Sequence, residues 1–180
     1  MRRALDAKLT YDDYAAIPSD GRIYQIADGE VYVTPAPSPY HQRASKRLQR
    51  QLEAYFESSG RAEVFNAPID LILGPHDITQ PDLVVAPPAA VTRRGIEAPP
   101  MLVVEVLSPS TEVFDRQVKA RRFAALGVPH SWMLDPEARR LDCYRNEGGT
   151  FVLVATADGD VVVAAAGFDG LTVDLGALWP

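Results

Sequence analysis

The sequence predicts a single α/β or α+β domain: a mainly antiparallel sheet, two principal helices and a C-terminal β extension. Three observations predict it. Apolar runs such as 83–85 and 101–104 are short and continuous, the pattern of central strands covered on both faces. Glycine, proline and aspartate clusters separate these runs. Two longer stretches, 40–59 and 108–126, instead carry helical spacing and capping signals.

Size and composition set the outer limits. With 180 residues, 19.7 kDa, 47% apolar and 23% charged residues, the chain has the proportions of one soluble domain with a substantial core. Cys143 is the single cysteine, which excludes an internal disulfide framework and a cysteine-based zinc site and fits a reducing cytoplasm. Two arginines near the N-terminus, Met1-Arg2-Arg3-Ala4-Leu5-Asp6, precede no apolar run, so no signal peptide is read there. No stretch reaches the roughly 18 apolar residues that span a bilayer. The expectation is a cytoplasmic protein without membrane contact. A net charge of −6 argues against a global basic coat for nucleic acid. It leaves room for a local groove in which a divalent cation supplies the positive charge.

In chain order, Thr10 caps a short helix ending before Ile17-Pro18-Ser19-Asp20-Gly21. Residues 22–26 and 30–33 flank Ala27-Asp28-Gly29, and an Asp-Gly pair between β-rich runs predicts a hairpin. Pro35, Pro37 and Pro39 end its second strand. Over 40–59, Ala44, Leu48, Leu52, Tyr55 and Phe56 gather on one helix face. Arg43, Lys46, Arg47 and Arg50 gather on the other, as either a solvated face or a phosphate-contacting stripe. Residues 63–73 are a second β region in which Asp70 breaks the apolar run, and Gly74-Pro75-His76-Asp77 reads as a turn. Beyond the strands at 83–85 and 101–104, Ser108-Pro109-Ser110-Thr111-Glu112 opens the second helix and Gly127 closes it. A strand at 130–134 ends at Asp135-Pro136. Short β runs follow at 141–144, 151–154 and 161–163.

Two of the buried runs carry a carboxylate, Asp82 and Glu105. An ionised carboxylate in an apolar setting costs several kcal/mol unless a metal or a cation pairs with it. Mg²⁺ takes one or two carboxylates, completed by water and substrate phosphate. Asp82 and Glu105 on adjacent strands, with the carbonyl of Val106, are a candidate site for one such ion, and Mn²⁺ is a possible substitute. Lys119, about two helical turns past Glu112, has a stem long enough to reach back to the strand end. The bland alternative keeps Asp82 as a strand-entry residue after Pro81, pairs Glu105 with an arginine, and makes Asp115 and Lys119 an exposed i,i+4 pair. His41 reads as a helix-start hydrogen bonder, His76 as turn chemistry and Cys143 as a buried thiol. Ser108 and Ser110 have no histidine–acid arrangement, and there is no phosphate-binding glycine loop.

A family resemblance adds to this reading. The succession Thr10-Tyr11-Asp12-Asp13-Tyr14, Ile26-Ala27-Asp28-Gly29-Glu30, Pro35-Ala36-Pro37-Ser38 before His41, and Pro81-Asp82-Leu83-Val84-Val85 is similar to the Uma-two family. Val104-Glu105-Val106-Leu107-Ser108-Pro109-Ser110-Thr111, Asp115 with Lys119, Gly127-Val128-Pro129 and Trp132-Met133-Leu134-Asp135-Pro136 continue it, from about residue 9 to about 145. Those are restriction-endonuclease-like proteins of the PD-(D/E)XK nuclease superfamily. The resemblance implies a restriction-endonuclease-like core and Mg²⁺-dependent hydrolysis of phosphodiester bonds in DNA, and it leaves 146–180 as the C-terminal β extension read from the residues. It makes Asp82 the superfamily aspartate, Glu105 its second acid and Glu30 an early acidic member. The superfamily lysine falls at Leu107 here, and Lys119 stands where the family moves it. At His130-Ser131-Trp132 the chain departs from the family pattern, and no role is carried over. Arg116, Arg121 and Arg122 join the stripe as candidate phosphate contacts. The partners expected are DNA and a second copy of the chain in a homodimer. The alternative is a nuclease fold that binds DNA or a protein without cutting.

Overall fold

The computed structural model describes residues 7–179, so the N-terminal segment on which the signal-peptide reading rests lies outside the described residues. Thr10 caps α1 (Tyr11–Ala15) by accepting from the backbone N–H of Asp13, while Asp13 accepts from that of Thr10 at 2.8 Å. Strands β1 (Ile23–Ala27) and β2 (Glu30–Thr34) pair antiparallel around Asp28 and Gly29. Both turn residues have positive φ, 52° and 82°, as a two-residue hairpin turn matched to strand twist requires. Helix α2 (Pro39–Phe56) starts at Ser38, whose hydroxyl accepts from the N–H of His41 at 3.2 Å, with Pro39 in the first turn where its missing N–H costs nothing.

Next come β3 (Glu63–Asn66), β4 (Leu71–Gly74), β5 (Asp77–Thr79), β6 (Leu83–Ala86) and β7 (Leu102–Val106). Residues 74–77 are thus a tighter turn than expected, since Asp77 already pairs with Gly74 and opens a strand. The second long helix begins with backbone bonds from Glu112 and Asp115 to Ser108 and Thr111. It then widens into a π-helical stretch, Phe114–Lys119, marked by the Ala120 N–H donating to Asp115, before α3 (Ala120–Ala125). Such insertions are frequent at functional sites. The chain closes with β8 (His130–Asp135), β9 (Arg140–Glu147), β10 (Thr150–Asp158), β11 (Val162–Ala164) and β12 (Thr172–Asp174).

The main sheet has six strands in the order β10-β9-β8-β7-β6-β3, antiparallel except for the β7–β8 pair. Side chains alternate across it. Leu83, Val85, Leu102, Val104 and Val106 pack with Ala44, Leu48, Leu52 and Phe56 of α2, whereas Val84, Ala86 and Val103 pack with Phe123 of α3. The second sheet, β2-β1-β5-β4, buries Ile26, Ile72 and Ile78 with Leu9, Tyr11 and Tyr14 beside them. The C-terminal segment is woven into the core: β10 is an edge strand of the main sheet, and Phe168, Leu171, Val173, Leu175, Leu178 and Trp179 are buried in the cluster that includes α2.

Candidate active site

The two strand carboxylates meet because of register. Leu83 of β6 lies opposite Val104 of β7, and one step further that alignment sets Asp82 opposite Glu105. Glu105 shares the parity of Val103 and so belongs to the α3 face of the sheet, while Asp82 stands just before β6. Glu105 is 2% exposed, and its Oε1 accepts from Lys119 Nζ at 2.8 Å. Lys119 also lies 3.1 Å from Asp115 Oδ1, and both of these residues are buried. The pair expected on the surface is therefore interior. Asp82 is fixed from two sides: its Oδ2 accepts from the Val106 N–H at 2.7 Å, and its Oδ1 lies 2.9 Å from His41 Nε2.

The electrostatics favour more positive charge than the protein supplies. Burial drives the Glu105 carboxyl well above the usual carboxylate range, Lys119 opposes the rise, and Asp115 and Asp82 add to it. Burial alone would lower Lys119, but attraction to Glu105, Asp115 and Asp82 more than offsets it and raises the ammonium. Two carboxylates, Glu105 and Asp115, thus hold one lysine, and Asp82 adds negative charge nearby. Among the described residues no three aspartate, glutamate, histidine or cysteine side chains converge as a ready-made metal cage. The oxygen donors and excess negative charge nevertheless fit a hard cation held by one or two carboxylates.

Asp82, Glu105, Asp115, Lys119 and His41 line one cleft of about 560 Å³. Its walls include Ile23, Pro35, Pro37, Tyr40, Leu107 and Pro109. Gln25, buried in β1, also lines it, and its Oε1 accepts from the backbone N–H of Gln80 at 2.8 Å. Sequence reading missed Gln25, although an amide between Tyr24 and Ile26 in a predicted strand was a signal. It also missed the His41–Asp82 contact, which joins residues 41 positions apart.

Other expected residues lie elsewhere. Glu30 sits at the turn end of its hairpin and accepts from the Tyr32 hydroxyl at 3.0 Å. The cleft begins at the other end of that hairpin, at Ile23 and Thr34, about 13 Å away along a strand of four residue steps. Glu30 is therefore not part of the constellation. Arg47 is not part of a phosphate stripe either, because its guanidinium donates to the carbonyls of Leu178 and Trp179 as the C-terminal segment crosses α2. Arg43, Lys46 and Arg50 remain exposed on α2. Arg116 pairs with Glu112 at 2.8 Å, and Arg122 grips Asp77 through two bonds of 2.8 and 2.6 Å. Those two are structural partners, while Arg121 is exposed.

Comparison with known proteins bears on this geometry. The Uma2 family, described as "Putative restriction endonuclease", matches residues 11–176. The chain belongs to the Uma2 family. This Uma2 chain is 29% identical over 135 residues to an uncharacterized protein of Synechocystis sp., covering 73% of this chain and 70% of that one. Its fold matches the crystal structure titled as a putative nuclease belonging to DUF820 from Anabaena variabilis, with a TM-score of 0.78 over 94% of this chain and 97% of that one. At 18% identity that likeness shows the fold alone. The nuclease-type α+β fold expected from the motifs is the fold observed. Among the described residues no helix is long and apolar enough to cross a membrane.

Proposed function

We propose that this Uma2 chain is a Mg²⁺-dependent endodeoxyribonuclease that hydrolyses phosphodiester bonds in DNA. One observation carries the reading: a buried Glu105, crowded by Asp115 and Asp82 and matched by a single lysine, opens into a cleft. Glu105 and Asp82 would hold the ion, with the Val106 carbonyl as a further oxygen. Bound Mg²⁺ supplies a Lewis acid that acidifies water and neutralises charge on the phosphate. Mn²⁺ is the expected substitute.

The chain's own groups do the rest. His41 and the Val106 N–H orient the two oxygens of Asp82. Asp115 and Glu105 hold Lys119 Nζ, leaving the third of its N–H donors for a phosphate oxygen or the attacking water. A fixed ammonium there stabilises charge as it develops on the phosphate. The proposal includes a reducing cytoplasmic setting, consistent with one buried cysteine, and a homodimer, supported by exposed Val152, Leu153 and Val154 on edge strand β10.

The test is cleavage of labelled DNA with Mg²⁺ against EDTA. Glu105→Gln keeps the shape and loses the charge, so cleavage should fall by at least about a thousandfold while circular dichroism is unchanged. A variant cutting at the wild-type rate overturns the assignment. A second reading, a nuclease fold that binds DNA or a protein without cutting, is favoured by one feature: both Asp82 oxygens and the lysine already have protein partners. Binding with no Mg²⁺-dependent cleavage of any DNA would support it.

A further inference from the structure

We infer that the cleft takes single-stranded DNA, with one base stacked on Tyr40 and the backbone led away along α2 by Arg43, Lys46 and Arg50. The inference rests on the nuclease reading of the same cleft and names its substrate form. Tyr40 lines the cleft yet remains 58% exposed, so the ring is not there to fill the core. The Arg43 guanidinium sits 5.6 Å from the ring centroid. An exposed aromatic with a guanidinium beside it is the pairing that binds unstacked bases, since every base has a π-face and the neighbouring phosphate needs a cation.

The charge layout favours one backbone over two. Duplex DNA presents a charge every ~1.7 Å, counting both strands. Lys119, the cation that lines the cleft, is already held by two carboxylates. Outside the cleft, Arg43, Lys46 and Arg50 fall within about 60° of one another on the helix and span about 10 Å along it. That is a single file of cations, beginning one turn from Tyr40. Around the site, Ile23, Pro35, Pro37 and Pro109 offer apolar surface to an unstacked base, which a paired and stacked base cannot use.

The test is fluorescence anisotropy with a labelled 15-nucleotide DNA, alone or annealed to its complement, with Ca²⁺ replacing Mg²⁺ to prevent cutting. The wild type should bind the single strand at least tenfold more tightly than the duplex. Tyr40→Ala should weaken single-strand binding about tenfold, the lower range of a base–aromatic stack, and Tyr40→Trp should retain it. Equal or tighter duplex binding, or no effect of Tyr40→Ala, overturns the inference. Duplex cleavage without strand preference breaks this inference and leaves the nuclease reading standing. Tyr40-dependent single-strand binding with no cleavage of any DNA breaks the nuclease reading and leaves this one standing.

Discussion

Lys119 and Arg122 lie one turn apart on the same helical segment, and each is set among carboxylates, yet the two clusters differ in balance. Arg122 takes both oxygens of Asp77, which also accepts from the Asp28 N–H at 2.9 Å, and Asp28 pairs in turn with Lys8. Two acids meet two bases, none of the four lines the cleft, and the cluster ties the β1–β2 turn to β5 and α3. Around Lys119, two buried carboxylates share one ammonium, Asp82 adds charge nearby, and the group opens into the cleft. A balanced cluster is finished by folding. An unbalanced one at a cavity is finished by something that binds, which is why similar side chains serve stability in one place and chemistry in the other.

The largest expected effect comes from removing the cation of the unbalanced cluster. Lys119→Met leaves Glu105 and Asp115 buried without their partner and should cost about 3–5 kcal/mol in urea denaturation, along with all cleavage. The loss should shrink on acidification. Burial raises the folded-state pKa of Glu105 above its unfolded value, so its contribution is most favourable below the unfolded pKa and declines as pH rises. A variant equally unstable at pH 4.5 and 8 would contradict the charge imbalance.

Asp77→Asn probes the balanced cluster. It loses a charge-assisted pair to Arg122, which can still reach solvent, and should cost about 1–3 kcal/mol with cleavage per folded molecule unchanged. A fall in cleavage larger than the fall in folded fraction would erase the distinction between the two clusters. The smallest effect concerns a buried group with no partner to gain. Burial first, and Asp142 second, push the Cys143 thiol up to about 12. Its stabilising contribution is full below the unfolded value of about 8.5 and is lost as pH climbs through the folded value. Folded protein at pH 8 should resist iodoacetamide, with labelling only after denaturation.

What could be read from sequence follows the range of the interaction. The Asp28-Gly29 hairpin, the Ser38-Pro39 helix start and the valine-rich strands are local, and each was legible in a few residues. Asp82 and Glu105 were legible because a charge set in an apolar run is an energetic anomaly that the run itself displays, whereas Lys119 was reached through helix spacing and the family resemblance. His41, Gln25 and the capture of Arg47 were not, since each depends on a partner brought close only by tertiary packing. Glu30 was carried over from the family resemblance alone, and a motif match says nothing about which end of a hairpin faces the cleft. The π-helical stretch left no mark in the pattern of apolar residues, though it sets the turn carrying both Asp115 and Lys119.

The most direct measurement is calorimetric titration of Mn²⁺ into the wild type, Glu105→Gln and Asp77→Asn. Excess negative charge at Glu105 predicts binding to the wild type, retention in Asp77→Asn and at least a tenfold loss in Glu105→Gln. No binding to the wild type, or equal affinity in all three, would contradict it.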